Sequence, residues 1–168
     1  MRGTVRAGLL ALILVPATAC TTYVVDTPAA AVGAQLSVER FLQAANERDV
    51  EAMGRLFGTP DGSAMETGST FGCMFKKIGS WFGGSPCVDK RDVEVRMDAI
   101  ASILQHRDYR IADERSVPGR TAPTTRVTVD MTTELGVEVR AVPFEVVRTG
   151  EGRWLVQRVD LERVMAAR

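Results

Sequence analysis

The sequence predicts an α+β fold, with helices in the first half of the folded body and an antiparallel sheet of about four strands in the second. Three observations predict it. Apolar residues recur at three- and four-residue spacing from about 33 to 57 and from about 89 to 107, and alternate with polar ones from about 109 to 160. Turn residues punctuate the second half at 118–123, 134–136 and 149–152. Helices followed by strands, rather than interleaved with them, mark a segregated α+β chain instead of βαβ units.

The chain opens with the basic stretch Met1-Arg-Gly-Thr-Val-Arg6, runs apolar from 7 to 15, and reaches Pro16-Ala-Thr-Ala-Cys20. A basic start, a short apolar run and small residues before a cut site describe an export signal. The run falls short of the roughly 20 residues that span a bilayer. Val15-Pro-Ala-Thr-Ala-Cys20 resembles the bacterial lipobox, with Ala17 where leucine is usual. The resemblance implies a signal peptide over 1–19, cut before a Cys20 that carries palmitate and diacylglyceryl chains. Residues 20–32, small, polar and proline-containing, read as the lipidated tether, and 33–168 as the folded domain. Thr21, where aspartate would retain such a protein at the inner membrane, implies the outer membrane, facing the periplasm.

Within the domain, Val38, Phe41, Leu42 and Ala45 form one helical stripe, with Ser37 placed to cap a late start. Asp49 reads as the N-cap of a short helix over 50–57, stopped by Gly58. Residues 59–88 are glycine-rich and aperiodic, an insertion. A third helix starts at Asp89 or Asp92 and runs to about Arg107, burying Met97, Ile100, Ile103 and Leu104. Residues 109–113 make a short strand. Over 126–132, Val127, Val129 and Met131 alternate inward. In the next strand, 137–147, the phase slips at Val142-Pro143, which predicts a bulge. Residues 153–160 close the sheet, and Phe41, Val129 and Trp154 are expected in one core.

The runs VERFLQAANERDVEAM at 38–53 and GRWLVQRV at 152–159 resemble the opening helix pair and the closing glycine-x-tryptophan strand of the NTF2-like (SnoaL-like) superfamily. The resemblance covers roughly 35–161 without the insertion. It implies a cone, the helices packed in a curved antiparallel sheet, with a pocket at the wide end. The superfamily holds isomerases, dehydratases and epoxide hydrolases that use Asp, His or Tyr in the cone, and many non-catalytic binding modules, so fold alone decides nothing about activity.

The residues that would carry chemistry are few. His106, the one histidine, falls at the expected end of the third helix, where a solvent-facing role is the plain reading against a general base. Asp113, Asp130 and Asp160 are the carboxylates available to a cone, but alternation puts Asp130 on the outer face with Arg126, Thr128 and Thr132. Tyr109, Phe144 and Trp154 read as core before they read as ligand wall. No nucleophile-elbow serine or phosphate loop is visible, and one histidine supplies a zinc site poorly, so neither a metal nor a cofactor is expected. Lys and Arg number 21 against 21 acids; without Arg2 and Arg6 the balance is 19 to 21. That is no charge for a nucleic-acid partner.

The insertion carries the densest signal. Cys73-Met-Phe-Lys-Lys-Ile-Gly-Ser-Trp-Phe-Gly-Gly-Ser-Pro-Cys87, with Phe71 ahead of it, holds four of the ten aromatic residues. With Cys20 lipidated, Cys73 and Cys87 are left as a pair in an oxidising compartment, where a disulfide is the expected state. Three roles suit Phe71, Phe75, Lys76, Lys77, Trp81 and Phe82: a lid over the cone mouth, a recognition hairpin for an envelope protein, or a foot in an anionic leaflet. The sequence thus favours an envelope lipoprotein, a non-catalytic binding or scaffold module for a protein partner or a small apolar ligand. The alternative is an isomerase or hydrolase using a cone carboxylate.

Overall fold

The structure, a computed structural model, describes residues 33–67 and 90–167. The segments expected to be a signal and a tether, and the segment from Cys73 to Cys87, lie outside the described residues. The described chain is mixed α+β. Helices α1 (Ala34–Glu47) and α2 (Val50–Leu56) lead into a hairpin of β1 (Gly58–Thr59) and β2 (Gly62–Ser63) and a one-turn helix α3 (Ala64–Thr67). Helix α4 (Lys90–Leu104) precedes four strands, β3 (His106–Ser116), β4 (Thr124–Thr133), β5 (Glu138–Arg148) and β6 (Trp154–Val159), and helix α5 (Leu161–Ala166) ends the fold. The strands form one antiparallel sheet in sequence order.

Helix α1 forms because its apolar residues fall on one stripe, and that stripe decides where it sits. Val38, Phe41, Leu42 and Ala45 are fully buried against the inner face of the sheet. That face is supplied by Val127, Val129 and Met131 of β4 and by Val142, Phe144 and Val146 of β5. α1 touches all four strands, and α2 and α4 pack upon it. Phe41 alone, truncated to alanine, would forfeit about 3–5 kcal/mol of transfer and cavity energy. Trp154 is only partly buried, packed on this core from its edge, with the Arg148 guanidinium 6.0 Å from the ring centre.

Several elements begin or end elsewhere than the sequence suggests. Ser37 does not cap α1, which starts three residues earlier; it lies inside the helix and donates its hydroxyl to the Trp154 carbonyl at 2.8 Å. Asp49 does cap α2, accepting from the Ala52 amide at 2.9 Å, but that helix stops at Leu56 and Gly58 already belongs to β1. The start of the insertion is structured, as β1, β2 and α3. The buried stripe of α4 is Val93, Met97, Ala101 and Leu104, with Ile100 and Ile103 only partly covered. α4 also ends at Leu104, so His106 and Arg107 open β3, an eleven-residue strand where a short one was expected. Helix α5 was not foreseen; Asp160 caps it through the Arg163 amide at 3.2 Å.

The bulge falls one step before the expected Val142-Pro143. Val129 pairs with Val142 and Met131 with Val139, so β5 spends one residue more than β4 between them. Ala141 absorbs it at φ 56°, a left-handed conformation that costs an L-residue about 1–2 kcal/mol. Asp130 holds the bulge from the outer face. One carboxylate oxygen accepts the Ala141 amide at 2.9 Å and the other accepts Arg110 at 2.7 Å. These bonds, the Ala141 amide first, keep its carboxyl below the usual carboxylate range. Ala141→Gly is expected to raise stability by about 0.5–1 kcal/mol, the relief of left-handed strain less the added unfolded-state entropy. Urea unfolding measures it, and a loss of stability would show that Ala141 is not strained.

Candidate functional site

The site is built where α2 runs into the edge of the sheet. Phe57, just past α2, bridges in parallel to Val156 of β6 and stacks at 6.1 Å on Phe41. The next two residues turn back as a hairpin whose close pairing, Gly58 with Ser63 and Thr59 with Gly62, leaves no space for a side chain at 58. A Cβ on Gly58 would lie 2.3 Å from the Gly62 carbonyl and 2.9 Å from Leu155. Glycine is needed here for close approach, not for a helix stop.

Ser63-Ala-Met-Glu66 then forms a capping box. The Glu66 amide donates to the Ser63 hydroxyl at 3.2 Å, and the Ser63 amide donates back to the Glu66 carboxylate at 3.4 Å. The same carboxylate receives the Arg153 fork at 2.9 and 2.7 Å, and Arg153 also reaches Glu151. α3 is thereby fastened to the approach of β6. Gly54 lets it sit close to α2: a Cβ there would meet the Met65 side chain at 2.7 Å.

Between this unit, α4 and β6 lies an apolar pocket of about 290 Å³, walled by Phe57, Ala64, Val93 and Met97. Arg96 and Gln157 stand in its lining, and among the described residues Arg96 is the one charged lining residue. The chain leaves the described residues at Thr67, one turn beyond Ala64, and returns at Lys90, one turn before Val93. Two other hollows are lined largely by charged residues. One, of about 380 Å³, lies beside the bulge among Asp108, Arg110, Asp130, Glu138 and Arg140. The other, of about 600 Å³, lies by Arg126, Glu145, Arg158 and Glu162.

The residues singled out from sequence separate into two groups. Cys20, Phe71, Cys73, Phe75, Lys76, Lys77, Trp81, Phe82 and Cys87 lie outside the described residues. The candidate bases are placed, and they do not converge. Asp113 pairs with Arg115 at 2.6 Å, Asp130 holds the bulge, and Asp160 caps α5. Phe144 is fully buried in the core, and Tyr109 is half-buried, its hydroxyl pKa raised by burial first and by Glu39 and Asp108 after it. Among the described residues no three His, Cys, Asp or Glu side chains gather as metal ligands would. Among them, too, no helix is long and apolar enough to cross a membrane.

His106 corrects the expectation of a solvent-facing helix-end residue: it is buried at the start of β3. Its backbone amide donates to the Asn46 carboxamide oxygen at 3.1 Å, and the Asn46 amide nitrogen donates to the His106 carbonyl at 2.9 Å. Those two bonds fix which end of the Asn46 amide is nitrogen. That nitrogen lies 3.3 Å from His106 Nε2, so Nε2 must accept, and Nδ1 donates to the Leu104 carbonyl at 2.8 Å. The ring is edge-on to Tyr109 at 5.3 Å. Every polar atom of His106 is occupied, which is a joint between helix and strand and leaves no nitrogen for a substrate.

Comparison with models of known protein families and with curated proteins finds no match. The pocket was not legible in advance, because it depends on where the hairpin crosses β6. The capping box was legible: a serine with glutamate three residues on is a helix-start signature even inside a glycine-rich run.

The Glu66 carboxyl is held below its usual range, by Arg153 first and by the Ser63 amide and hydroxyl after it, against the opposing effect of burial. A depressed folded pKa stabilises above the unfolded carboxylate range, near 4.3, and that stabilisation is lost as pH falls through the lower folded value. Glu66→Gln should therefore cost on the order of 0.5–1 kcal/mol at neutral pH, the worth of a half-exposed fork, and much less near pH 3. Urea midpoints of both forms at the two pH values check this; a cost unchanged with pH would mean the fork contributes nothing.

Proposed function

We propose that the protein is an envelope lipoprotein, anchored through Cys20, whose domain is a non-catalytic binding or scaffold module of NTF2-like design. In this reading the apolar pocket is the mouth of the cone, and the module acts through that mouth and the Cys73–Cys87 loop. One observation carries it: the apolar pocket lies at the two points where the chain departs into the aromatic, basic segment and returns from it. In this reading the hollow walled by Phe57, Val93 and Met97 and the segment bearing Phe75, Trp81 and Phe82 serve one binding function. The carboxylates that the alternative, enzymatic reading needs are committed to Arg115, to the bulge and to a helix cap. An acid–base mechanism needs a titratable group within reach of substrate.

One experiment tests anchor and module together. The wild-type protein, Cys20→Ser and Trp81→Ala with Phe82→Ala are expressed in a bacterial envelope, labelled with palmitate and cross-linked. Cys20→Ser should lose the label and membrane retention, and the aromatic double variant should keep both but lose its cross-linked partner. Label retained in Cys20→Ser would overturn the anchor, and partners unchanged in the double variant would overturn the loop's role.

A further inference from the structure

The pocket has a chemical bias beyond its shape. Its walls are apolar, its volume is about 290 Å³, and among the described residues its lining includes one cation and no anion. Ligand sites for drug-sized molecules run from about 300 to 1,000 Å³, so this one suits a body of about ten heavy atoms. Among the described residues Arg96 has no hydrogen bond or ion pair. Asp92, one turn earlier on the exposed side of α4, is spaced for an i,i+4 pair with it, yet the two do not pair. The nearby arginine on the sheet side, Arg153, is committed to Glu66 and Glu151. Gln157 of β6, half-buried in the same lining, has a carboxamide without a partner among the described residues.

An apolar chamber whose lining holds a guanidinium and an amide without partners among the described residues is complementary to a molecule with an apolar body and an anionic head. We propose, resting on the binding-module reading, that the pocket takes a short-chain amphiphilic carboxylate. Its hydrocarbon tail lies against Phe57, Val93 and Met97. Its carboxylate receives the Arg96 guanidinium and the Gln157 amide. Arg96 supplies specificity through a planar pair of donors matched to the two carboxylate oxygens. The walls supply affinity by removing the tail from water. Because Arg96 is exposed, the head group stays at the opening, where a charge keeps part of its hydration.

The test is calorimetric titration of the full chain with octanoate, octanol and octylamine, which share a tail and differ in the head. Octanoate should bind about tenfold tighter than octanol and tighter still than octylamine. Arg96→Gln should abolish that preference while leaving octanol binding unchanged, and Gln157→Leu should reduce it in part. Equal binding of all three probes, or an octanoate affinity indifferent to Arg96→Gln, overturns the anionic ligand while leaving an apolar binding pocket in place. Binding of none of them overturns the ligand class altogether, and the cross-linking experiment then judges the module reading on its own evidence.

Discussion

The seating of α1 on the sheet is the constraint on which the other elements depend. A helix with four fully buried side chains on one stripe can press against an apolar sheet face in more than one register. Here polar bonds at both of its ends choose one. Near its start the Ser37 hydroxyl reaches the Trp154 carbonyl on β6; at its end Asn46 takes both backbone groups of His106 on β3. Gln105 adds a third joint, donating to the Ala45 carbonyl at 2.6 Å. β6 and β3 are the two outer strands of the four, so α1 spans the sheet from one side to the other. These bonds are part-buried, each worth about 0.5–1.5 kcal/mol, and their geometry selects one register where hydrophobic burial discriminates poorly between neighbours.

From that seating the place of the apolar pocket follows. With α1 fixed, α2 begins at Asp49 and ends at the edge of β6, where Phe57 can bridge Val156 and stack on Phe41. The hairpin and α3 hang from that point by close glycine contacts and the Arg153–Glu66 fork, and they bring only the partly buried Ala64 and Met65 to the hydrophobic core. Elements held in this way open at lower cost than a core helix. A pocket walled on one side by such a unit and on the other by Val93 and Met97 of α4 combines a firm wall with a yielding one.

The sequence revealed the parts of the fold that repeat and concealed those that depend on single contacts. The stripe Val38, Phe41, Leu42, Ala45 and the alternation Val127, Val129, Met131 identify a helix and a strand, because burial imposes a period on each. The end of α4 was misjudged because Gln105-His-Arg-Asp continues an acceptable helical composition; only Asn46, some sixty residues earlier, draws His106 into the sheet. The slip at Val142-Pro143 was visible in the lost alternation, but its seat at Ala141 depends on Asp130 reaching across from β4. The outer-face placement of Asp130 followed from period two alone, and its pairing with Arg110 is what that face allows. Of the candidate site, Ser63 and Glu66 were readable as a motif. Arg96 and Gln157 were not, since nothing local to either marks a pocket.

Native-state hydrogen exchange tests the seating of α1 most directly, since it compares the opening free energy of each element in one molecule. If α1 is the fastened keystone, its central amides, near Phe41 and Leu42, should exchange only through global unfolding, with the same free energy as those of β4 and β5. The amides of the hairpin and α3 should exchange earlier. Exchange of α1 together with the hairpin, well below the protection of the sheet, would contradict the account.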